Sequence, residues 1–414
     1  DQDATLYEIT EMNPETIPVF SSNGFPHMAD PVKRSSIGKT ITLKTALLLK
    51  QMNPEAFIRL LEESVRRAGE NRDVIRDGAL NVVGLLPCPV RLPLMEKWND
   101  FLDEREQAGF EWVNHELRAA SMGLEWVEAN IDGVENPEKL PDLFISAGFD
   151  LFFDEQKIGR FRGRGIFSDL VGPRGANASF DGLSISDPDG CYSIISVVPA
   201  VFLVNTEELN GRSAPRTWAD ILKPEYEKSV SLPVGDFDLF NGILLNIHKT
   251  YGDDGVAALG RSLLESMHPS QMVKSDRKKS DKPAVTIMPY FFTKMVKEGS
   301  TLQAVWPEDG AIISPIFMLA KTSAAERLQP VVDFFASKEI GEVLAIQGLF
   351  PTTHPDVDNR LGEDCRFMWL GWDYIAKNDL SVLISHCEDL FEGAAASMPT
   401  GEDSCECAAV EAGS

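Results

Sequence analysis

Cys88 stands between Pro87 and Pro89, and Arg91 follows in the same short stretch. The two prolines fix φ on either side and hold the thiol on a rigid turn. A helix opening near Pro93 points its unpaired amides, and about half a positive charge, toward that turn. Such a field draws the proton off a thiol. Cys88 is therefore a candidate ligand contact, metal thiolate or nucleophile. Arg91 is a candidate two-pronged holder of a carboxylate or phosphate. The plainer alternatives are a small residue filling a tight turn and a surface arginine paired with one of many carboxylates.

Tyr290 follows Met288-Pro289 and precedes Phe291-Phe292. Tyr290 and Phe291 offer an aromatic wall to an organic ligand, with ordinary core packing as the alternative. Asp236 and Asp238, in Gly235-Asp236-Phe237-Asp238, can hold a cation or amine, or cap the helix that follows. Cys405-x-Cys407 is an incomplete soft-metal pair. The histidines show no HxH or HExxH spacing, and there is no P-loop, GxGxxG or GxSxG. Gly159-Arg160-Phe161-Arg162-Gly163-Arg164-Gly165 reads as a solvated basic loop able to guide an anion. No cofactor is implied by any of these patterns.

Positioning such groups takes a sizeable fold, and the composition supplies one. The chain has 414 residues, 43% of them hydrophobic and 25% charged, in the range of globular proteins. Its 64 acidic against 39 basic side chains give a net charge of −25, which repels phosphate backbones and disfavours nucleic acid as a partner. No apolar run approaches the ~20 residues of a membrane span. Six irregularly spaced cysteines read as reduced thiols. The first residues show no basic segment followed by an apolar one. The expectation is a cytoplasmic protein, or a periplasmic or extracellular one whose signal has been removed.

Residues 1–70 read as a small helical domain. Asn13-Pro14 and Asn53-Pro54 mark helix starts, Asn23-Gly24 a helix end, and Phe57, Leu60, Leu61 and Val65 share one face. Residues 71–78 read as a linker. Leu80–Leu86 is an apolar run of buried-strand type, and a helix from Pro93 presents Leu94, Trp98, Phe101 and Leu102. Further strands are expected at 123–128, 142–146, 229–233 and 284–288. Helices are expected at 217–222 and 240–251, with a capping box at Ser323-Ala324-Ala325-Glu326. Strands alternating with helices argue for an α/β fold. Ser193–Val204 is too long for an ordinary strand and is interrupted by Pro199, as a chain crossing between two sheets would be. Residues 356–391 read as a C-terminal helical extension, and 392–414 as an acidic mobile tail.

The order of these pieces resembles the type II periplasmic-type solute-binding proteins, the receptors of ABC transporters, in their iron, thiamine and spermidine branch. Its carriers are Val197–Thr206, then Pro215-Arg216-Thr217-Trp218-Ala219-Asp220-Ile221-Leu222-Lys223-Pro224-Glu225-Tyr226, then Ser231-Leu232-Pro233, Trp306-Pro307-Glu308-Asp309-Gly310 and Ser314-Pro315. The resemblance covers residues 79–355. It implies a two-lobed α/β fold with an interlobe cleft that captures a small anion, metal or organic ligand, and an ABC permease as partner. Ligands of such sheets bind beyond the strand carboxyl ends at a switch point. The implied ligand-binding residues are Cys88, Pro89, Arg91, Ser146, Ala147, Gly148, Tyr192, Asp236, Asp238 and Tyr290. In the ferric receptors two adjacent tyrosines hold iron near this place, whereas Tyr290-Phe291-Phe292 keeps one phenol. Residues 1–70 resemble a helical domain of unknown function that often carries His-Cys-x-x-Cys; the matching stretch, Gly24–Asp30, has His27 and no cysteine. Two rival readings stand beside solute capture. One is a thiaminase-like enzyme with Cys88 as nucleophile and Asp236 or Asp238 as base. The other is a cytoplasmic sensor or adaptor docking through residues 1–70.

Overall fold

The computed structural model describes residues 2–22, 25–28, 30–50, 52, 54–68, 78–108, 113–119, 131, 134–175, 177–234, 237–266, 282–297 and 299–396. The chain divides into two compact units. Unit 1 comprises Asp1–Ala147, Asp154–Val197 and Pro315–Leu361, and unit 2 comprises Gly148–Phe153, Val198–Ser314 and Gly362–Ser414. The strands described are β1 (Leu80–Leu86), β2 (Val113–Ala119), β3 (Leu143–Ala147), β4 (Phe167–Ser168), β5 (Ser193–Asn205), β6 (Val230–Leu232), β7 (Leu263–Ser266), β8 (Val285–Pro289), β9 (Leu302–Val305), β10 (Ala311–Lys321) and β11 (Phe367–Met368).

Unit 1 begins with helices α1 (Leu6–Met12), α2 (Ile17–Ser22), α3 (Pro31–Ser36), α4 (Leu43–Lys50) and α5 (Pro54–Ala68). Thr5 and Glu8 cap α1 reciprocally: the Glu8 amide donates to Thr5 Oγ1 and the Thr5 amide to Glu8 Oε2. The Asp30 carboxylate accepts the first amides of α3. Helix α5 opens on Pro54 and buries Phe57, Leu60 and Leu61, the face that the spacing predicts. Phe20, Phe25 and Phe57 meet at centroid distances of 5.5 to 5.9 Å and, with Leu6, Met28, Leu43 and Leu47, make a core local to these helices. The linker expected at 71–78 lies, apart from Gly78, outside the described residues.

The sheet portion of unit 1 has β1 at its centre, parallel to β2 on one side and to β3 on the other. All seven residues of β1 are buried, as a continuous apolar run requires. Strand β10 runs antiparallel to β3, with Phe317 opposite Ser146. Helix α6 (Arg91–Gln107) starts two residues earlier than expected. Pro93 then sits in the first turn, where a missing N–H costs nothing. Trp98 of α6 is fully buried, stacked on Phe101 and Phe335 at 5.4 and 5.1 Å, with His115 of β2 against it at 5.7 Å. The strand expected at 123–128 lies outside the described residues. The capping box expected at Ser323 does not form. The chain leaves β10 through a tight turn, Thr322–Ala324, and the helix Ala325–Phe335 has no side-chain cap.

Unit 2 repeats the same strand order. Strand β6 is central, parallel to β7 on one side and to β8 on the other, and β8 pairs antiparallel with β5. The long helix α7 (Phe237–Ser262) and the C-terminal helix α8 (Leu380–Ala396) pack in this unit through Phe240 and Phe391, whose rings meet edge to face at 5.1 Å. Helix α8 continues past Glu392 to Ala396, beyond the expected start of the tail. The core joins Phe202, Trp218, Tyr226, Ile243, Leu244, Val285, Ile287 and Phe391.

Strands β5 and β10 each belong to both units. β5 is one strand of 13 residues rather than two pieces. Its first part bonds to residues 351 and 352, and its pairing with β8 begins at Ala200, so Pro199 falls between the two sets. A proline there interrupts no bond of either set. The architecture is the two-lobed α/β fold that the order of the sequence pieces implies, preceded by a small all-α segment.

Candidate functional site

In each unit the central strand has its neighbours on opposite sides, so the chain leaves the sheet in opposite directions after the first and third strands. Ligands of parallel sheets bind at the strand carboxyl ends beside such a point. In unit 1 these ends are the turn after β1 and the end of β3. In unit 2 they are the loop after β6 and the turn after β8. The candidate residues, Tyr192 excepted, fall at these four places.

After β1, Cys88 opens a short turn, Cys88–Val90, closed by the Val90 amide donating to the Pro87 carbonyl at 3.1 Å. Pro89 is half-buried; the Cys88 side chain lies outside the described set. Arg91 is the first residue of α6 and is buried, with one amine donating to the Leu117 carbonyl of β2 at 3.1 Å. That bond ties the start of α6 to the neighbouring strand.

At the end of β3, Ser146 is buried and its hydroxyl donates to the Ala147 carbonyl at 2.8 Å. Ala147 is half-buried as the last residue of β3, and the buried Gly148 follows it as the first residue of unit 2. Tyr192 precedes β5 and is buried, edge to face with Phe317 at 5.9 Å. Its amide donates to Asp187 Oδ2 at 3.0 Å, and the Arg162 guanidinium lies 5.8 Å from its ring centre. Burial pushes the Tyr192 phenol far above its ordinary range, so it stays protonated. Arg162, from the basic loop, pairs with Asp189 at 3.2 Å and reaches Asp187 at 4.0 Å. This arginine is thus partly neutralised inside unit 1, a pairing that a count of charges in the loop does not reveal.

In unit 2, Asp236 lies outside the described residues, and Asp238 is the second residue of α7, its side chain outside the described set. Tyr290 begins a short turn of helix directly after β8 and is half-buried. Its ring stands edge to face with Trp306 at 5.2 Å, and Trp306 in turn tilts against Phe367 at 5.7 Å. The Trp306 indole N–H donates to the Arg366 carbonyl at 2.7 Å. Tyr290 and Trp306 rest on the buried cluster Val201, Leu203, Met288, Leu302 and Ala311. Burial, with a smaller contribution from the nearby Cys365 thiol, raises the Tyr290 pKa. The ring that Tyr290 meets is therefore Trp306, with Phe367 beyond it, while Phe291 stands edge to face with Phe292 at 5.3 Å. The sequence marked Trp306 only as a fold landmark. The available signal was an indole beside a proline at the end of a short strand.

No helix among the described residues is long and apolar enough to cross a membrane.

The family model for bacterial extracellular solute-binding proteins matches residues 138–378. A domain of unknown function, DUF1858, matches residues 1–58. Among solved structures, the chain is similar to the ferric binding protein from Campylobacter jejuni, with 14% identity over 76% of this chain and 98% of that one and a TM-score of 0.53. AfuA from Actinobacillus pleuropneumoniae, with exogenous fructose-6-phosphate bound, gives 15% identity, coverage of 77% and 99%, and a TM-score of 0.52. Iron-bound HitA from Pseudomonas aeruginosa gives 10% identity, coverage of 75% and 98%, and a TM-score of 0.53. At these identities the likeness is one of fold. Among curated proteins no sequence relative is found.

Proposed function

The chain belongs to the bacterial extracellular solute-binding proteins, and from that premise we propose that it captures a small organic solute, not a bare ferric ion, and does so without transforming it. The proteins it resembles in fold include ferric-ion binders and one with a sugar phosphate bound. The fold is therefore compatible with either cargo, and the choice rests on this chain's own residues.

The environment of Tyr290 carries the choice. Ferric iron asks for several hard, anionic oxygen ligands. Tyr290-Phe291-Phe292 offers one phenol, and burial raises its pKa, which makes the phenolate costly. An aromatic face backed by Trp306 and Phe367 suits the apolar or ring face of an organic molecule. Within unit 1 the proposed ligand contacts are Cys88, Pro89 and Arg91 after β1, and Ser146 and Ala147 at the end of β3, with Tyr192 shaping that unit around Phe317. Within unit 2 they are Tyr290 and Gly148, with Asp236 and Asp238 for hydroxyl or amine groups. An ABC permease is the proposed recipient of the solute.

The test is thermal unfolding of the full chain against ferric citrate, sugar phosphates, carboxylates and amines. A true ligand at a hundredfold excess over its Kd adds about 2.7 kcal/mol of stability. One organic class should raise the Tm, and Tyr290→Ala should weaken its binding at least tenfold. Ferric iron binding with a tyrosinate charge-transfer band that Tyr290→Phe abolishes would overturn the reading. So would silence across the panel.

A further inference from the structure

We propose that His248, Asp253 and His386 form a binding site for one divalent transition-metal ion of the zinc type, in a part of unit 2 that the solute-capture reading does not use and on which it does not depend. His248 and Asp253 lie on α7, and His386 comes from α8. In an unbroken helix, residues five apart point about 140° away from each other. Here α7 is broken at Gly252, whose φ of 67° and ψ of −165° only glycine adopts readily. The break turns Asp253 back, so that its Oδ1 lies 3.2 Å from His248 Nε2. The same oxygen lies 3.0 Å from His386 Nε2.

The three donor atoms lie within 4.8 Å of one another. Tetrahedral zinc with bonds of about 2.0–2.1 Å holds its ligand atoms about 3.3 Å apart. The two histidine–carboxylate separations are already close to that value. A second shell is also present: Tyr374 Oη lies 2.9 Å from His248 Nδ1. When Nδ1–H donates to that hydroxyl, the Nε2 lone pair is left facing the other donors, the arrangement usual for metal-bound histidine. Side-chain exposures of 23% for His248, 57% for Asp253 and 47% for His386 leave the cluster open to solvent, so water can complete the coordination.

The donor set selects the ion class. Two imidazoles with one carboxylate suit zinc, nickel, copper or cobalt, whereas magnesium and calcium take oxygen donors. In the metal-free protein, Asp253 Oδ1 lies in hydrogen-bond reach of His386 Nε2 at 3.0 Å and of His248 Nε2 at 3.2 Å, so the carboxylate already links the two helices. Bound metal would replace the imidazole protons in these bonds and fasten α8 to α7.

The experiment titrates the full-length protein with Zn²⁺ against a chromophoric chelator and records Co²⁺ visible spectra. One zinc per chain is expected. His386→Gln should weaken it at least tenfold, and Tyr374→Phe, which keeps all three ligands, about tenfold. Zinc should raise the Tm of the wild type and leave that of His386→Gln unchanged. The proposal is overturned by equal zinc affinity in wild type and His386→Gln, by failure to bind zinc, or by thiolate-to-cobalt charge-transfer bands, which would move the metal to cysteines such as Cys405 and Cys407. Retained solute binding in His386→Gln would separate this site from the solute site.

Discussion

Gly260 of α7 faces the main chain of Phe391 in α8 so closely that a Cβ there would stand 2.3 Å from the Phe391 carbonyl oxygen and 3.1 Å from Ala394 Cβ. Contacts of that kind cannot be relieved by turning a side chain, because one partner is backbone. In an exposed helix, Gly→Ala is stabilising by about 0.5–1 kcal/mol. Here the sign reverses. Gly260→Ala should destabilise the protein by about 1–3 kcal/mol, the usual cost of overpacking. A lower urea midpoint at unchanged m-value would report it. An unchanged or raised midpoint would show that α8 does not dock as described.

Cys387 lies on the docked face of α8 and is fully buried. Burial, then the charges of Asp253 and Glu388, push its thiol up to about 12. Only the thiolate attacks an alkylating reagent. Cys387 should therefore resist iodoacetamide at pH 8 in the folded protein and react once urea unfolds it. Peptide mass spectrometry reads both states. Gly260→Ala should speed labelling in the absence of urea, and fast labelling of the wild type would contradict the docking.

Asp220 is the acidic member of a capping box. Its amide donates to Thr217 Oγ1 at 3.2 Å, and its carboxylate accepts the Thr217 and Arg216 amides, both at 3.0 Å, and Lys223 Nζ at 2.6 Å. Burial works to raise its pKa, but the hydrogen bonds from Lys223, Arg216 and Thr217 outweigh it and hold the carboxyl at about 2. A carboxyl depressed by folding stabilises above its unfolded pKa of about 3.9 and loses that effect as pH falls through the folded value. Asp220→Ala should cost about 1 kcal/mol at pH 7. The gap to wild type should narrow between about pH 4 and pH 2, as denaturant melts across that range will show. A gap independent of pH would exclude the carboxylate as its source.

The parts of this fold legible in the sequence are those whose burial is written in consecutive residues. Leu80–Leu86 and Val285–Pro289 are buried throughout, and each reads as a strand from its apolar run. Strand β2 does not, because Asn114, His115, Glu116 and Arg118 interrupt it, and among its described side chains only Val113 and Leu117 are buried. The box expected at Ser323 fails because the Thr322 amide is committed to the Ile166 carbonyl, which draws the chain into a tight turn before the helix can start. The family resemblance suggested the candidate loops. It could not reveal Trp306 and Phe367 behind Tyr290, which arrive from distant sequence. Nor could it reveal His248, Asp253 and His386, whose spacing matches no local motif.

Trp218 supports the loop on which Tyr290 leans. Its indole is fully buried, its Nε1–H donates to the Gly310 carbonyl at 2.9 Å, and its amide donates to Asp309 Oδ2 at 2.9 Å. Its ring meets Phe202 of β5 edge to face at 4.9 Å. Trp218 therefore fixes residues 309 and 310, three and four positions after Trp306. Trp218→Phe keeps most of the ring and leaves the Gly310 carbonyl unpaired, at a cost of about 1–3 kcal/mol. Trp218→Ala removes the ring as well and should cost about 3–5 kcal/mol. If the loop acts by holding Trp306 behind Tyr290, Trp218→Phe should weaken solute binding less than Tyr290→Ala does. The double variant should then bind no worse than Tyr290→Ala alone, since the wall it supports is already gone. Calorimetric Kd values for the four proteins decide this. Additive losses would mean that Trp218 stabilises unit 2 without shaping the wall.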